Sequence, residues 1–124
     1  MTRLPGGSHH KYNARKTTID GYTFDSLAEG RRYQQLKLAV KSGDISNLII
    51  QPEFVLQDGF TDNQGKRQQA IKYRGDFEYL DKNTNELVIE DVKGKKTQVF
   101  LIKKKMFLKR YPNLALRVVP ISEI

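Results

Sequence analysis

The sequence predicts an α/β domain in which a mixed central sheet is flanked by helices. Three observations carry that expectation. A chain of 124 residues, 38% hydrophobic and 29% charged, is long enough to close one core without disulfides. Its apolar residues recur with a helical period in two segments and alternate like a strand's in another. After an opening hairpin the order reads helix, three strands, helix, strand. Short turns can join the first three strands antiparallel, whereas the last follows a helical crossover and is expected parallel to its partner.

The expected organisation is a flexible basic N-terminal arm, residues 1–16, followed by a single domain, 17–124. The stretch Met1 to Asn13 holds Pro5, Gly6, Gly7 and Ser8, the composition of a mobile terminus. His9 and His10 are adjacent rather than at helical ligand spacing, and are read as polar residues of the arm, not as a metal site. Asp20-Gly21 between Thr17-Thr18-Ile19 and Tyr22-Thr23-Phe24 is a two-residue hairpin signal. A helix is expected from about Ser26 to Ser42, capped by Asp25 or Ser26 and ended by Gly43. Its apolar stripe runs through Tyr33, Leu36 and Val40. Glu29 lies four residues before Tyr33, on the same face. The spacing Ser26-x-x-Glu29 fits a capping box as well as a carboxylate aimed at the sheet.

Ile45 to Ile50 is apolar and leads through Gln51-Pro52 into a strand, Glu53 to Gln57. Asp58 to Arg67 reads as a polar hairpin loop. From Gln69 to Leu80, Ile71, Tyr73, Phe77 and Tyr79 alternate with Lys72, Arg74, Asp76 and Glu78, a strand with one polar face. This alternation makes Tyr73 a core residue. Asp81 to Asn85 is a turn, and Glu86 to Lys93 a third strand. Thr97 can cap a second helix, Gln98 to about Arg110, with Val99, Ile102 and Met106 on one face and Phe100, Phe107 and Leu108 widening it. Tyr111-Pro112 stops that helix. Leu114 to Val119 is the last strand, and Pro120 ends it.

The charge is unevenly spread. Lys and Arg total 22 against 14 acids, for a net charge of +8. Met1 to Ile19 contains four bases and no acid; Val92 to Arg110 contains eight bases and no acid. Two acid-free basic windows predict a polyanionic partner, nucleic acid before membrane, bound with a steep dependence on salt. Cysteine is absent, which excludes a disulfide scaffold, a thiolate zinc site and a cysteine nucleophile. No apolar run is long enough to span a membrane.

The chemistry is expected around Asp91-Val92-Lys93. Residues i and i+2 of a strand share a face, so Asp91 and Lys93 point one way and Glu90 the other. Asp76 lies on the polar side of the preceding strand. If the two strands pair through the Asp81 to Asn85 turn, Asp76 approaches Asp91. Paired carboxylates repel unless a cation lies between them, and a hard cation such as Mg²⁺ takes oxygen ligands and needs only one or two carboxylates. Glu29 could complete the shell, while Lys93 neutralises a phosphate oxygen or helps activate a water. That set suits phosphodiester hydrolysis. A surface cluster in which Asp76 and Asp91 pair with Lys93 or Arg74 is the simpler alternative.

Gly75-Asp76-Phe77, followed after a spacer by Ile89-Glu90-Asp91-Val92-Lys93-Gly94, resembles the core of the PD-(D/E)xK nuclease superfamily. Phe24-Asp25-Ser26-x-x-Glu29 and the segment Ile45 to Pro52 are similar to the leading helix and Gln-Pro strand of its compact branches. These include TnsA-type transposase endonucleases and small phage nucleases related to Holliday-junction resolvases. The resemblance covers about Asp20 to Arg110 and implies a restriction-endonuclease-like core. It makes Asp76 and Asp91 metal ligands, with the Val92 carbonyl as a further one, Lys93 the catalytic lysine and Glu29 the helix glutamate. Two positions depart from the pattern. Gly75 stands where a proline usually precedes the first aspartate, and the second acid is Asp rather than the commoner Glu. Glu90 is therefore a rival to Asp91, with strand parity to Lys93 favouring Asp91.

The expected function is a Mg²⁺-dependent DNA endonuclease, with Mn²⁺ as a possible substitute. Its expected substrate is branched DNA, a four-way junction cut during recombination by a cytoplasmic phage or prophage protein in a bacterial host. A two-fold junction needs two cuts, which implies a homodimer, with Leu48, Ile49 and Ile50 or the Leu114 to Val119 strand as candidate contacts. Arg15, Lys16, Arg74, Lys95, Lys96, Lys103 and Lys104 are the expected DNA contacts. The alternatives are a TnsA-like sequence- or partner-directed endonuclease and a non-catalytic basic nucleic-acid-binding module.

Overall fold

Asp20 and Gly21 both adopt positive φ, 54° and 83°, the backbone a two-residue turn needs if its strands are to keep their twist. They join β1 (Thr17–Ile19) to β2 (Tyr22–Phe24). A computed structural model describes residues 15–124. Most of the expected N-terminal arm, with His9, His10 and Tyr12, lies outside the described residues.

Helix α1 (Leu27–Ser42) begins where the Ser26 hydroxyl accepts the Glu29 N–H at 3.1 Å, and ends on Gly43 at φ 86°. Both caps are the expected ones. Ala28, Tyr33 and Leu36 are buried, but Val40, expected on the same stripe, is 41% exposed. In the last turn Ala39 packs on the core instead, one residue back along the helix.

Strand β3 (Ile45–Ile50) passes through Gln51-Pro52 into β4 (Glu53–Gln57). The expected polar loop beyond it holds a small hairpin, β5 (Phe60–Thr61) against β6 (Arg67–Gln68). The expected single strand from Gln69 to Leu80 is two strands, β7 (Ile71–Arg74) and β8 (Phe77–Asp81). The break at Gly75-Asp76 is a change of partner. Gly75 N–H still donates to Pro52 O, 2.9 Å, at the β4 side, whereas Asp76 N–H donates to Glu90 O, 2.9 Å, on β9 (Glu86–Lys93). Tyr73 and Phe77 share strand parity, yet they enter different cores across this break.

The central sheet has the order β10-β9-β8-β3. Its β8–β9 hairpin closes through the expected Asp81 to Asn85 turn, in which Asp81 Oδ1 accepts the Asn83 and Thr84 N–H groups. Helix α2 (Gln98–Arg110) then crosses over to β10 (Ala115–Pro120), which pairs parallel with β9 as expected. The described residues thus form an α/β fold, with a mixed sheet and two α-helices. One core lies against α1 and includes Phe24, Tyr33, Phe77, Tyr79, Val88 and Val92; the other includes Leu56, Tyr73, Ile89, Phe100 and Phe107. Consecutive β9 residues alternate between the two.

The buried face of α2 differs from the expected one. Val99 and Ile102 are 62% and 57% exposed, whereas Phe100 and Phe107 are buried. Phe107 meets Phe54, Tyr73 and Tyr111 with ring centroids 5.2–5.4 Å apart. A helix presents one face at a time, and burying two phenyl rings removes more apolar area from water than burying two aliphatic side chains. Of the candidate contact residues, Leu48 and Ile50 pack on the α1 core, Ile49 is exposed, and β10 is a sheet edge. Among the described residues, no helix is long and apolar enough to cross a membrane.

Candidate functional site

The β8–β9 register decides which side chains meet. Phe77 is opposite Glu90. The ladder ends there: Asp76 N–H donates to Glu90 O, one residue out of that register, and the break leaves the Asp76 carboxylate at Val92 N–H and within electrostatic reach of Asp91. The Val92 N–H donates to Asp76 Oδ2 at 2.6 Å. Asp91 and Lys93 share a face, as the period of two requires: Lys93 Nζ lies 3.3 Å from Asp91 Oδ1.

Glu90 points to the opposite side and is fully engaged there. Arg32 of α1 donates Nε to Oε1 at 2.8 Å and Nη2 to Oε2 at 2.6 Å, and the Tyr79 hydroxyl also donates to Oε2. Between the two rival acids, Asp91 is the one beside Asp76 and Lys93. Neither Arg32 nor Tyr79 is marked by sequence spacing as a partner of Glu90. Their only signal is the need of an acid 1% exposed for compensating charge and donors.

Asp91 is 4% exposed. Its Oδ2 accepts the Tyr73 hydroxyl at 2.5 Å. Tyr73 is a core residue, as expected, but its hydroxyl enters the site. The lone signal in the sequence is that a buried tyrosine, unlike phenylalanine, needs a polar partner. Lys93 also sits over the Phe100 ring, 4.5 Å from its centroid, so α2 steers the amine by a cation–π contact.

Among the carboxylates of the site, Asp76 is displaced furthest from its ordinary range. Burial raises its pKa to about 8, and the neighbouring Glu29 and Asp91 carboxylates push the same way, against lowering contributions from the Val92 N–H and Lys93. Glu29 is raised as well, by burial first, then by Asp25 and, more weakly, by Asp91. Its helix role is also kept: Ser26 Oγ lies 3.3 Å from Glu29 Oε2 and accepts the Glu29 N–H. The cap and the approach to the site are thus one geometry. Among the described residues, no three acids close into a ready-made metal-ligand group; Glu29 is within electrostatic reach of the aspartates and remains on its cap.

The donor set fits a hard divalent cation. Asp76 and Asp91 are neighbouring carboxylates with incomplete charge compensation. Among the described residues, nothing donates a hydrogen bond to Asp76 Oδ1. Oxygen donors of this kind suit Mg²⁺ or Mn²⁺. Val92 has only its backbone to offer such an ion, since its side chain is buried in the α1 core.

Of the expected DNA contacts, Arg74 and Lys103 line the same shallow pocket as Asp91 and Lys93. Arg74 pairs with Asp25 at 3.2 Å rather than with Asp76. Lys95 and Lys96 are exposed on the turn before α2, and Arg15 and Lys16 are exposed before β1. Lys104 lies on another flank of α2, in a groove with Leu101 and Leu108. Tyr111 is a packing residue whose hydroxyl donates to Val55 O at 2.7 Å.

Gly75 accounts for one departure from the nuclease pattern. A Cβ there would sit 2.9 Å from Ile89 Cγ2, and the Gly75 N–H is in use by Pro52 O. A proline has no N–H to give. No curated protein and no solved structure matches the chain. A family model described as "Protein of unknown function (DUF1064)" matches residues 9–122, and with nearly its whole length covered the chain belongs to that family.

Proposed function

We propose that the protein is a Mg²⁺-dependent DNA endonuclease of the PD-(D/E)xK kind. The observation that carries this reading is the juxtaposition of Asp76, at the break before β8, with Asp91 on β9, and Lys93 3.3 Å from Asp91. Asp76, Asp91 and the Val92 carbonyl would hold the cation, with Glu29 at the margin. Such an ion supplies Lewis acidity to a phosphodiester and lowers the pKa of a bound water. The chain supplies the remainder. The Val92 N–H orients the Asp76 carboxylate. Lys93 Nζ donates to a non-bridging phosphate oxygen, offsetting the charge that develops there. Arg74 and Lys103 receive neighbouring phosphates as point charges around the same pocket.

The preferred substrate proposed is branched DNA, a four-way junction, with a homodimer making the two cuts. This finer reading rests on the resemblance to small phage resolvases. Labelled four-way junction and matched linear duplex, incubated with Mg²⁺ or EDTA, test both levels. Junction cutting that needs Mg²⁺ and is lost in Asp76→Asn and Lys93→Ala is expected. Cleavage that persists in EDTA, or in both variants, would overturn the mechanism. Equal cutting of both substrates would overturn the junction preference alone. Salt-dependent binding without any cleavage would identify a binding module.

A further inference from the structure

We propose that Tyr73 is a positioning residue that holds the Asp91 carboxylate in the orientation needed to take a divalent cation. This inference rests on the reading of Asp76 and Asp91 as the ion-binding pair.

Tyr73 is 4% exposed and belongs to a core of Leu56, Ile89, Phe100 and Phe107. Its other fully buried members are apolar, and a phenyl ring would satisfy the packing. The hydroxyl therefore has a separate reason to be there: a buried donor needs an acceptor, and Asp91 Oδ2 accepts it at 2.5 Å. The ring is in turn held by Phe54, stacked at 6.5 Å, and by Phe107, edge-on at 5.4 Å. The donor is thus fixed by aromatic neighbours from β4 and α2, not by a flexible stem.

The consequence is a division of labour between the two oxygens of Asp91. Oδ2 faces the core and is held by the phenol. Oδ1 faces Lys93. A carboxylate with one oxygen tethered cannot rotate freely about its Cβ–Cγ bond, so the other stays aimed at the pocket. Partners that orient metal-ligating carboxylates typically change metal affinity by about 10- to 100-fold when removed. Tyr73 comes from β7, on the far side of the Gly75-Asp76 break. The same bend that places Asp76 beside Asp91 therefore also swings Tyr73 under it.

Calorimetric titration of the full chain with MnCl₂ tests the assignment. Tyr73→Phe is expected to weaken Mn²⁺ binding by about 10- to 100-fold, and 4-aminophenylalanine at position 73, which restores a donor on the same ring, to recover most of it. A purely structural role would lower the melting temperature of Tyr73→Phe and leave its Mn²⁺ affinity unchanged; that result overturns the inference. The unsubstituted protein supplies a reading that no folding defect can spoil. The assigned Tyr73 ¹³Cζ resonance should move on addition of MgCl₂, with the midpoint of the calorimetric titration, and an unmoved resonance overturns the inference. If the unsubstituted protein binds neither ion, the ion-binding reading itself falls and this inference with it. Normal binding with an indifferent Tyr73 removes the inference alone.

Discussion

Asp76 is the side chain whose protonation reports most directly on the site. Its folded-state pKa, about 8, stands above the ordinary aspartate value of 3.8. Between those values the folded protein keeps a proton that the unfolded chain releases. The stabilising contribution is therefore complete below about pH 4 and is lost as pH rises toward 8. Glu29 is displaced in the same direction and adds to that slope. Metal-free protein should accordingly lose stability from pH 5 to pH 8.5 in urea melts. Asp76→Asn should flatten the profile and be more stable at pH 8.5 by roughly 1–3 kcal/mol, while losing cleavage altogether. Unchanged pH dependence in the variant would show that Asp76 does not carry the slope. At this scale the sequence was legible where alternation decides direction. Asp91 and Lys93 share a face and Glu90 does not, because a strand repeats every two residues. It was illegible for Tyr73, Arg32 and Phe100, whose partners are 18, 58 and 7 residues away in the chain.

The break between β7 and β8 is the element that builds the site. Unbroken, this strand would keep Tyr73 and Phe77 on one face; broken, it delivers Tyr73 to one core and Phe77 to the other. Gly75 is needed because backbone and side chains close in on it. Gly75→Pro should remove the bond to Pro52 O and drive the ring into Ile89, lowering stability by about 3 kcal/mol or more in thermal or urea denaturation. A near-neutral result would mean that the bend does not depend on this glycine. Helix α2 offers a second test. Phe107→Ala should cost about 3–5 kcal/mol, whereas Ile102→Ala, on the exposed side, should stay within about 0.5 kcal/mol. The reverse ranking would place the buried face where apolar counting alone put it. Counting Val99, Ile102 and Met106 identified a real stripe, but a helix apolar on several sides offers more than one. The choice fell to the phenyl rings, of which Phe107 finds Phe54, Tyr73 and Tyr111 waiting.

Across the whole molecule, the net charge of +8 predicts DNA binding that weakens steeply with salt, and the fold predicts which lysines matter. Lys103 shares the pocket of Asp91 and Lys93, while Lys104, its neighbour in sequence, lies on another flank of α2. In binding isotherms between 50 and 200 mM salt, Lys103→Ala should reduce the slope by about one charge and Lys104→Ala should leave it nearly unchanged. Equal effects would show that DNA reads the basic segment as a diffuse charge. Local information was enough for the hairpin turn, both helices with their caps, the strand faces around Asp91 and the parallel last strand. These follow from backbone conformation, hydrophobic period and connection length, all properties of residues close in sequence. The tertiary structure alone decided where the long strand changes partners, which side of α2 is buried, and which phenol and which ring hold Asp91 and Lys93. Those outcomes depend on how separate surfaces fill shared space, and packing between distant segments leaves no periodic trace in the chain.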